Sequence, residues 1–250
     1  MLEHVVAEPA ARGRRFYLGM SLAVFMVVFA GFAPSYYLKS LTHLTHYPNG
    51  AVISPTLPLA LHIHAAVLSL WLLLLLVQTT LVAAGRTDLH RRLGIAGAVL
   101  LPVILVLGVI TAIRGGRDGW NPGGPFADSL EFMIVGLGDI ALFTGFVSAG
   151  LYWRREPDIH KRLMILGALG GLMWPAITRM PYVAPHAPAM FALLLALLAA
   201  LPIRDYMTTR RIHPVTWWGT LVILASFPLR EVLAPTAAWH HVAAWLIAER

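Results

Sequence analysis

The sequence predicts an all-α fold, a polytopic membrane helix bundle of seven transmembrane helices followed by a short C-terminal interfacial helix. Composition is the first observation, because 58% of the 250 residues are hydrophobic and only 12% are charged. A soluble domain carries roughly twice that charged fraction. The second observation is a series of seven apolar runs, each near the roughly 20 residues that a bilayer core requires. The third is the grouping of Lys and Arg between those runs.

The predicted elements follow from the first residue onward. Residues 1–15 are charged and hold no apolar stretch, which is typical of a short cytoplasmic tail. The next run, residues 16–38, exceeds the roughly 7–15 residues of a signal-peptide core, so we expect it to remain as the first helix. The transmembrane domain, residues 16–232, then continues with runs at residues 57–84, 92–114, 129–152, 162–180, 189–207 and 213–232. Turn signals lie at 48–50 and 121–124.

The last segment, residues 233–250, contains a stretch at 236–247 that is too short to cross a bilayer. It carries two tryptophans, Trp239 and Trp245, on either side of His240 and His241. Tryptophan concentrates at membrane–water interfaces. We therefore expect a short helix that lies in the outer interface.

The distribution of Lys and Arg predicts the orientation. Thirteen belong to the tail and the turns on its side, and six to the other side. Lys and Arg favour the cytoplasmic face. The chain is therefore expected in the bacterial inner membrane with its N-terminus inside and its C-terminus outside. The basic residues behind the net charge of +7 are expected to orient the chain in the lipid bilayer, and we therefore expect no nucleic-acid partner.

Three helices share an internal repeat. Helix three opens with the word DLHRRLG, residues 88–94, helix five with DIHKRLM, residues 158–164, and helix seven with the weaker RRIHP, residues 210–214. Each has a proline further on, Pro102, Pro175 or Pro228, and an arginine at its outer end. Helices 2–3, 4–5 and 6–7 are interpreted as three diverged hairpins.

The words HRRLG at 90–94 and HKRLM at 160–164, together with GFAPSYY at 31–37, LHIH at 61–64, VQ at 77–78 and PLR at 228–230, resemble a group of uncharacterised bacterial multi-pass membrane proteins. That resemblance covers most of the chain and implies no activity. The HKRLM word also resembles a helix start of small membrane proteins implicated in cytochrome oxidase assembly. This second likeness implies a respiratory or haem-linked role.

Asp139 is the sharpest chemical signal, because it lies near the middle of predicted helix four. A charged residue there costs about 2.5–3.5 kcal/mol on insertion scales, so it must face the bundle interior. It either fixes helix packing, helped by Gly136 and Gly138, or relays protons or contacts a ligand. We expect His64 and Arg179 to be its nearest neighbours.

On helix two, His64, Trp71 and Gln78 recur every seven residues and therefore form one stripe. We expect the stripe to face inward, with His64 rather than His62 toward the interior. The stripe is either a polar seam that binds neighbouring helices or part of a ligand site.

Histidines and arginines also group at the two predicted faces. The inner-face cluster comprises His90, Arg92, His160, Arg162 and His213. These residues lie at helix starts, where we expect the arginines to bind lipid head groups. The alternatives are a site for an anionic ligand and a three-histidine metal site. Arg114, Arg179 and Arg230 mark the outer helix ends. They either snorkel to the interface or form a basic pocket that suits haem b, with histidine as its axial ligand.

Three functions remain open at this stage. The first is a redox-linked or respiratory-assembly protein that binds haem or a quinone-like ligand through its His and Arg clusters. The second is a proton-coupled small-molecule transporter that uses Asp139. The third is a structural accessory subunit with a membrane-complex partner. The chain has no cysteine, which excludes thiolate nucleophiles and iron–sulfur clusters, and no metal or enzymatic reaction is assigned.

Overall fold

The computed structural model describes residues 2–47, 53, 56–119 and 125–248. The predicted turns at 48–50 and 121–124 lie outside these residues. The described residues form α-helices and one π-helical segment, with no strand among them. The all-helical fold class is therefore confirmed.

The helices follow the predicted order. They are α1 (Leu2–Phe32), a π-helical turn (Ala33–Tyr37), α2 (Lys39–Thr42), α3 (Leu59–Ala83), α4 (Thr87–Arg117), α5 (Ser129–Tyr152), α6 (Pro157–Ile177), α7 (Ala187–Thr209), α8 (Pro214–Leu233) and α9 (Ala237–Ile247). The predicted tail belongs to α1, because this helix already begins at Leu2.

Five helices are long and apolar enough to cross a membrane, namely α1 with the π-helical turn, α3, α4, α5 and α7. The count rises to six if α8 and α9, which meet at 91°, form one broken span. These helices identify the chain as a multi-pass membrane protein. The predicted short C-terminal helix is present as α9.

Helix α6 occupies the centre of the bundle, in contact with α1, α5, α7 and α8. Thirteen of its 21 residues are buried, among them the three glycines Gly167, Gly170 and Gly171. A helix enclosed by protein needs no lipid-facing apolar surface, and small residues let its neighbours approach closely. This position is consistent with the absence of α6 from the five candidate spans.

Aromatic and aliphatic side chains fill the space around α6. Trp71 of α3 is 2% exposed and meets the ring of Phe143 of α5 edge-on, with ring centroids 4.6 Å apart. A second, smaller cluster comprises Ile134, Val135 and Ala234, with Trp174 and Trp239 packed against it. This second cluster lies beside the C-terminal end of α8.

The two ends of the bundle are named here by residues that they contain. The His160 end holds the starts of α4 and α6, and the Arg230 end holds the start of α5 and the end of α8. Helix α9 packs on α4 and α5 at the Arg230 end, where the Trp239 indole N–H donates to the carbonyl of Leu130 at 2.8 Å. Helix α9 therefore covers part of that end.

We predict that Gly31→Ala destabilises the protein whereas Gly19→Ala, on the same helix, does not. A Cβ at Gly31 would lie 2.2 Å from the carbonyl oxygen of Ala176, so α1 and α6 would have to separate. Such overpacking costs about 1–3 kcal/mol. A Cβ at Gly19 meets nothing within 4 Å. Thermal unfolding in detergent should show a lower midpoint for Gly31→Ala alone, and equal midpoints would contradict the close α1–α6 contact.

Candidate functional site

An ion pair between Asp139 and Arg230 lies within the bundle. Nη1 of Arg230 is 2.6 Å from Oδ1 of Asp139, and the two side chains are only 7% and 10% exposed. The same Nη1 lies 3.4 Å from the carbonyl oxygen of Val135. The pair therefore links α8 to α5 through a charge-assisted hydrogen bond in a setting that water barely reaches.

A glycine makes room for this pair. A Cβ at Gly138 would lie 2.5 Å from Nε of Arg230, so the guanidinium rests directly against the α5 backbone. Gly136 instead faces α4, where a Cβ would lie 3.1 Å from that of Ala112. Both glycines therefore permit the close approach expected from the sequence, one toward a side chain and one toward a helix.

Arg179 follows the end of α6 and lies close to the ion pair. Its Nη1 donates to the carbonyl of Pro175 at 2.6 Å, and its guanidinium carbon lies 5.0 Å from the ring centre of Phe32 and 5.6 Å from that of Tyr47. Its charge acts on both Asp139 and His64. We call Asp139, Arg230, Arg179 and His64 the Asp139 cluster.

The ion-pair partner of Asp139 differs from the expectation. The sequence named His64 and Arg179 as nearest neighbours, whereas Arg230 holds the carboxylate. Arg230 is ninety-one residues away along the chain. The pairing depends on how far α8 is turned about its axis, which sequence spacing alone does not determine.

Two buried nitrogen atoms of the cluster have no hydrogen-bond partner among the described residues. They are Nη2 of Arg230 and Nδ1 of His64. A buried polar atom without a partner costs about 1–3 kcal/mol. The cluster therefore offers hydrogen-bonding capacity that the described part of the chain does not use.

The remaining residues of the predicted ligand site lie in different parts of the bundle. Trp71 is part of the core, and Gln78 lies half-buried toward the His160 end of α3. Arg114 is exposed, so Arg179 and Arg230 are the two outer arginines that lie with Asp139. The stripe of His64, Trp71 and Gln78 faces the other helices, whereas His62 is exposed and lies 3.1 Å from the hydroxyl of Tyr36.

At the His160 end, the structure brings His90 of α4 and His160 of α6 together. Their ring centroids lie 6.1 Å apart, and Nδ1 of His160 lies 2.7 Å from the carbonyl oxygen of Gly150. Arg92 is exposed. These contacts agree with a shared depth for the first two repeat words, whereas superposition of the three hairpins stays a prediction.

Arg162 and His213 belong instead to a second buried carboxylate, Asp205 of α7. Nη2 of Arg162 lies 2.5 Å from Oδ1 of Asp205, and the hydroxyl of Thr216 donates to Oδ2 at 2.6 Å. The backbone N–H of His213 also donates to Oδ2, at 3.2 Å. Burial, followed by the positive charge of Arg162, lowers the pKa of the His213 imidazole.

Asp205 and Thr216 are functional candidates that the sequence reasoning missed. A signal was present, because Asp205 lies inside the predicted span 189–207, where a carboxylate is costly. Its place two residues from the end of that span is close to the membrane–water interface, where the cost of a carboxylate falls and the signal weakens. In the structure Asp205 is buried, with only 3% of its surface exposed.

No group of three or more His, Cys, Asp or Glu within the described residues could hold a metal ion. Three histidines therefore do not converge there in the way that a three-histidine site needs. Comparison of the chain with family models, with curated proteins and with solved structures finds no match.

We predict that removing one member of the Asp139–Arg230 pair is more harmful than removing both. Asp139→Ala or Arg230→Ala alone leaves a buried charge without its partner, which costs about 3–5 kcal/mol. The double variant Asp139→Leu/Arg230→Met removes both charges and should recover part of that loss. The measurement is the free energy of unfolding in detergent of the two single variants and of the double variant.

The matched control is the pair Arg86 and Asp88, whose side chains are 59% and 60% exposed at 3.6 Å. Asp88→Ala should cost less than about 1 kcal/mol, because exposed ion pairs contribute little. An Asp139→Ala loss as small as the Asp88→Ala loss would show that the buried pair does not stabilise the fold.

Proposed function

We propose that the chain crosses the bacterial inner membrane seven times with its N-terminus inside. Helix α6 is the one proposed span that is not among the five or six candidates. Four other helices enclose it, which removes the need for an apolar surface. The thirteen-to-six distribution of Lys and Arg supports the orientation. In this arrangement the Arg230 end lies at the outer face and the His160 end at the inner face.

Reporter fusions test this topology. A reporter fused after Arg155 should be active on the cytoplasmic side, and one fused after His186 on the periplasmic side, since α6 lies between the two positions. Fusions after Arg86 provide an independent cytoplasmic reference. Finding the Arg155 and His186 reporters on the same side would exclude α6 as a span.

We further propose that the protein is a redox-linked membrane protein whose Asp139 cluster binds a quinone-like head group. The observation that carries this proposal is the presence of two buried, unpartnered nitrogens, Nη2 of Arg230 and Nδ1 of His64. They are related through Arg179, whose charge acts both on Asp139, the partner of Arg230, and on His64. Quinones carry two carbonyl oxygens, each of which accepts hydrogen bonds. A guanidinium N–H and an imidazole N–H are suitable donors for them.

The charges of the cluster suit such a ligand. Reduction of a quinone places negative charge on its oxygens, and fixed positive groups stabilise that charge most effectively where water is excluded. Arg230 is held in place by Asp139, and Arg179 by the carbonyl of Pro175. The cluster would therefore favour the reduced, anionic form of a ligand without moving its own side chains.

A small cavity at the Arg230 end borders one member of the cluster, Arg179. It encloses about 140 Å³, and its walls include Ser35, His46, Tyr47 and Arg179. The cavity therefore reaches a member of the cluster from the predicted outer surface.

Haem b is the second candidate, because the cluster joins a histidine to two arginines of the kind that hold propionates. It would use His64 as one axial ligand. A transporter or a structural accessory subunit in a membrane complex would use the same buried pair without binding either group.

We predict that a short-chain quinone binds saturably to the purified protein in nanodiscs, measured by quenching of tryptophan fluorescence. His64→Leu should weaken binding about tenfold, which corresponds to the loss of one hydrogen bond of about 1.4 kcal/mol. The matched control, His62→Leu, changes an exposed histidine two residues away and should leave the affinity unchanged.

The competing outcomes are distinct. Absence of saturable quinone binding, or equal loss in the two histidine variants, would contradict the quinone proposal. A Soret band that shifts on dithionite reduction would favour haem instead. Uptake of a solute driven by a proton gradient in proteoliposomes, abolished by Asp139→Asn, would favour transport.

A further inference from the structure

A second group of polar side chains lies at the His160 end, at the opposite end of the bundle from the Asp139 cluster. It comprises Gln78 of α3, His90 of α4 and His160 of α6, and it is adjacent to the end of α5 through Gly150. Nδ1 of His90 and Oε1 of Gln78 are buried and have no hydrogen-bond partner among the described residues. Neither atom takes part in the ion pairs described above.

The backbone orients His160. Its Nδ1 lies 2.7 Å from the carbonyl oxygen of Gly150, and a carbonyl only accepts, so the neutral ring carries its proton on Nδ1. The lone pair is then on Nε2. Metal-binding histidines are held in this way, with one nitrogen donating to a carbonyl and the other on the metal.

His90 is placed to complete a pair. Its ring meets that of His160 at an interplanar angle of 74°, and the centroids are 6.1 Å apart. Nitrogen–metal bonds of about 2.0–2.1 Å to each ring fit within that separation. The His90 ring also interacts with the backbone of Gln78.

Gln78 adds a third candidate donor atom. Its Nε2 is directed toward Gly94, where a Cβ would lie 3.6 Å away, which leaves Oε1 as the buried acceptor. An amide oxygen is a weaker ligand for late transition metals than imidazole. The group thus combines two strong donors with one weak donor, all without formal charge.

The surrounding charges favour a singly charged ion. Lys161 is paired with Asp158, and Arg162 with Asp205, so both of those positive charges are balanced. Arg91 is exposed, but its charge acts on His90. Two imidazoles are also fewer than the three or four protein ligands with which Zn²⁺ sites are built, whereas Cu⁺ is stable with two nitrogen ligands.

We propose that His90 and His160 bind one Cu⁺ ion, with Oε1 of Gln78 as an additional weak ligand. The site is a two-imidazole site, distinct from the three-histidine arrangement, because His213 caps α8 through its Nδ1 and the backbone N–H of Val215 at 3.2 Å. It is independent of quinone binding in the Asp139 cluster, since the two groups share no residue.

Anaerobic competition of the full-length protein with a colorimetric Cu⁺ chelator tests the proposal. Wild-type protein should bind one Cu⁺, and His90→Ala and His160→Ala should each weaken binding at least tenfold. Gln78→Leu should weaken it a few-fold. The matched control is His186→Ala, which removes an exposed histidine and should leave Cu⁺ affinity unchanged.

X-ray absorption of the copper-loaded wild-type protein supplies a readout that does not depend on variants folding. It should show two imidazole nitrogens at about 2.0 Å. Absence of stoichiometric binding, a copper environment without two imidazoles, or equal losses in His90→Ala and His186→Ala would overturn the proposal. Tighter binding of Zn²⁺ than of Cu⁺ would overturn the choice of a singly charged ion.

Discussion

Close packing against α6 is the constraint on which the rest of the bundle depends. A Cβ at Gly171 would lie 2.5 Å from that of Phe143 and 2.9 Å from the carbonyl oxygen of Asp139. On the opposite side, Gly31 of α1 meets the backbone of Ala176. Helix association in a membrane relies on such van der Waals contact, because lipid is as apolar as the side chains. The position of Asp139 therefore follows from how closely α5 approaches α6.

A buried ion pair at one end of α8 and a hydrogen bond to a second buried ion pair at the other end link this helix to its neighbours. Near its end, Arg230 binds Asp139 of α5, and near its start, Thr216 binds the carboxylate of Asp205 that also holds Arg162 of α6. Polar groups inside a bilayer must be satisfied by the protein itself. Turning α8 about its axis would separate both sets of partners together. These contacts fix the rotation of α8 relative to α5, α6 and α7.

The buried atoms without partners divide the polar interior into two separate groups. Those of the Asp139 cluster, on Arg230 and His64, lie among positive charges and suit a ligand that accepts hydrogen bonds or carries negative charge. Those at the His160 end, on His90 and Gln78, lie beside an imidazole whose orientation a carbonyl determines. They suit a cation of low charge. The unpartnered atoms at the two ends of the bundle thus suit ligands of opposite charge.

The sequence by itself determined the helices and the residues that had to be inside. Apolar runs predicted the long helices to within about five residues, because hydropathy and turn residues act locally. The exception is the start of α1, which begins at Leu2 within the charged segment predicted as a tail. Asp139 was recognised because an intramembrane charge is costly wherever the fold places it. The stripe of His64, Trp71 and Gln78 was likewise recognised from helical spacing alone.

Only the tertiary structure decided which polar residues meet. Arg230 rather than Arg179 pairs with Asp139. Asp205 binds Arg162, Thr216 and the backbone at the start of α8. His90 lies beside His160, whereas His213 does not join them. Each outcome depends on the rotation and depth of one helix against another. Those are determined by contacts such as Gly138 against Arg230 and Gly31 against Ala176. Contacts between residues far apart in the chain leave no periodic signal in a single sequence, because spacing describes one helix at a time.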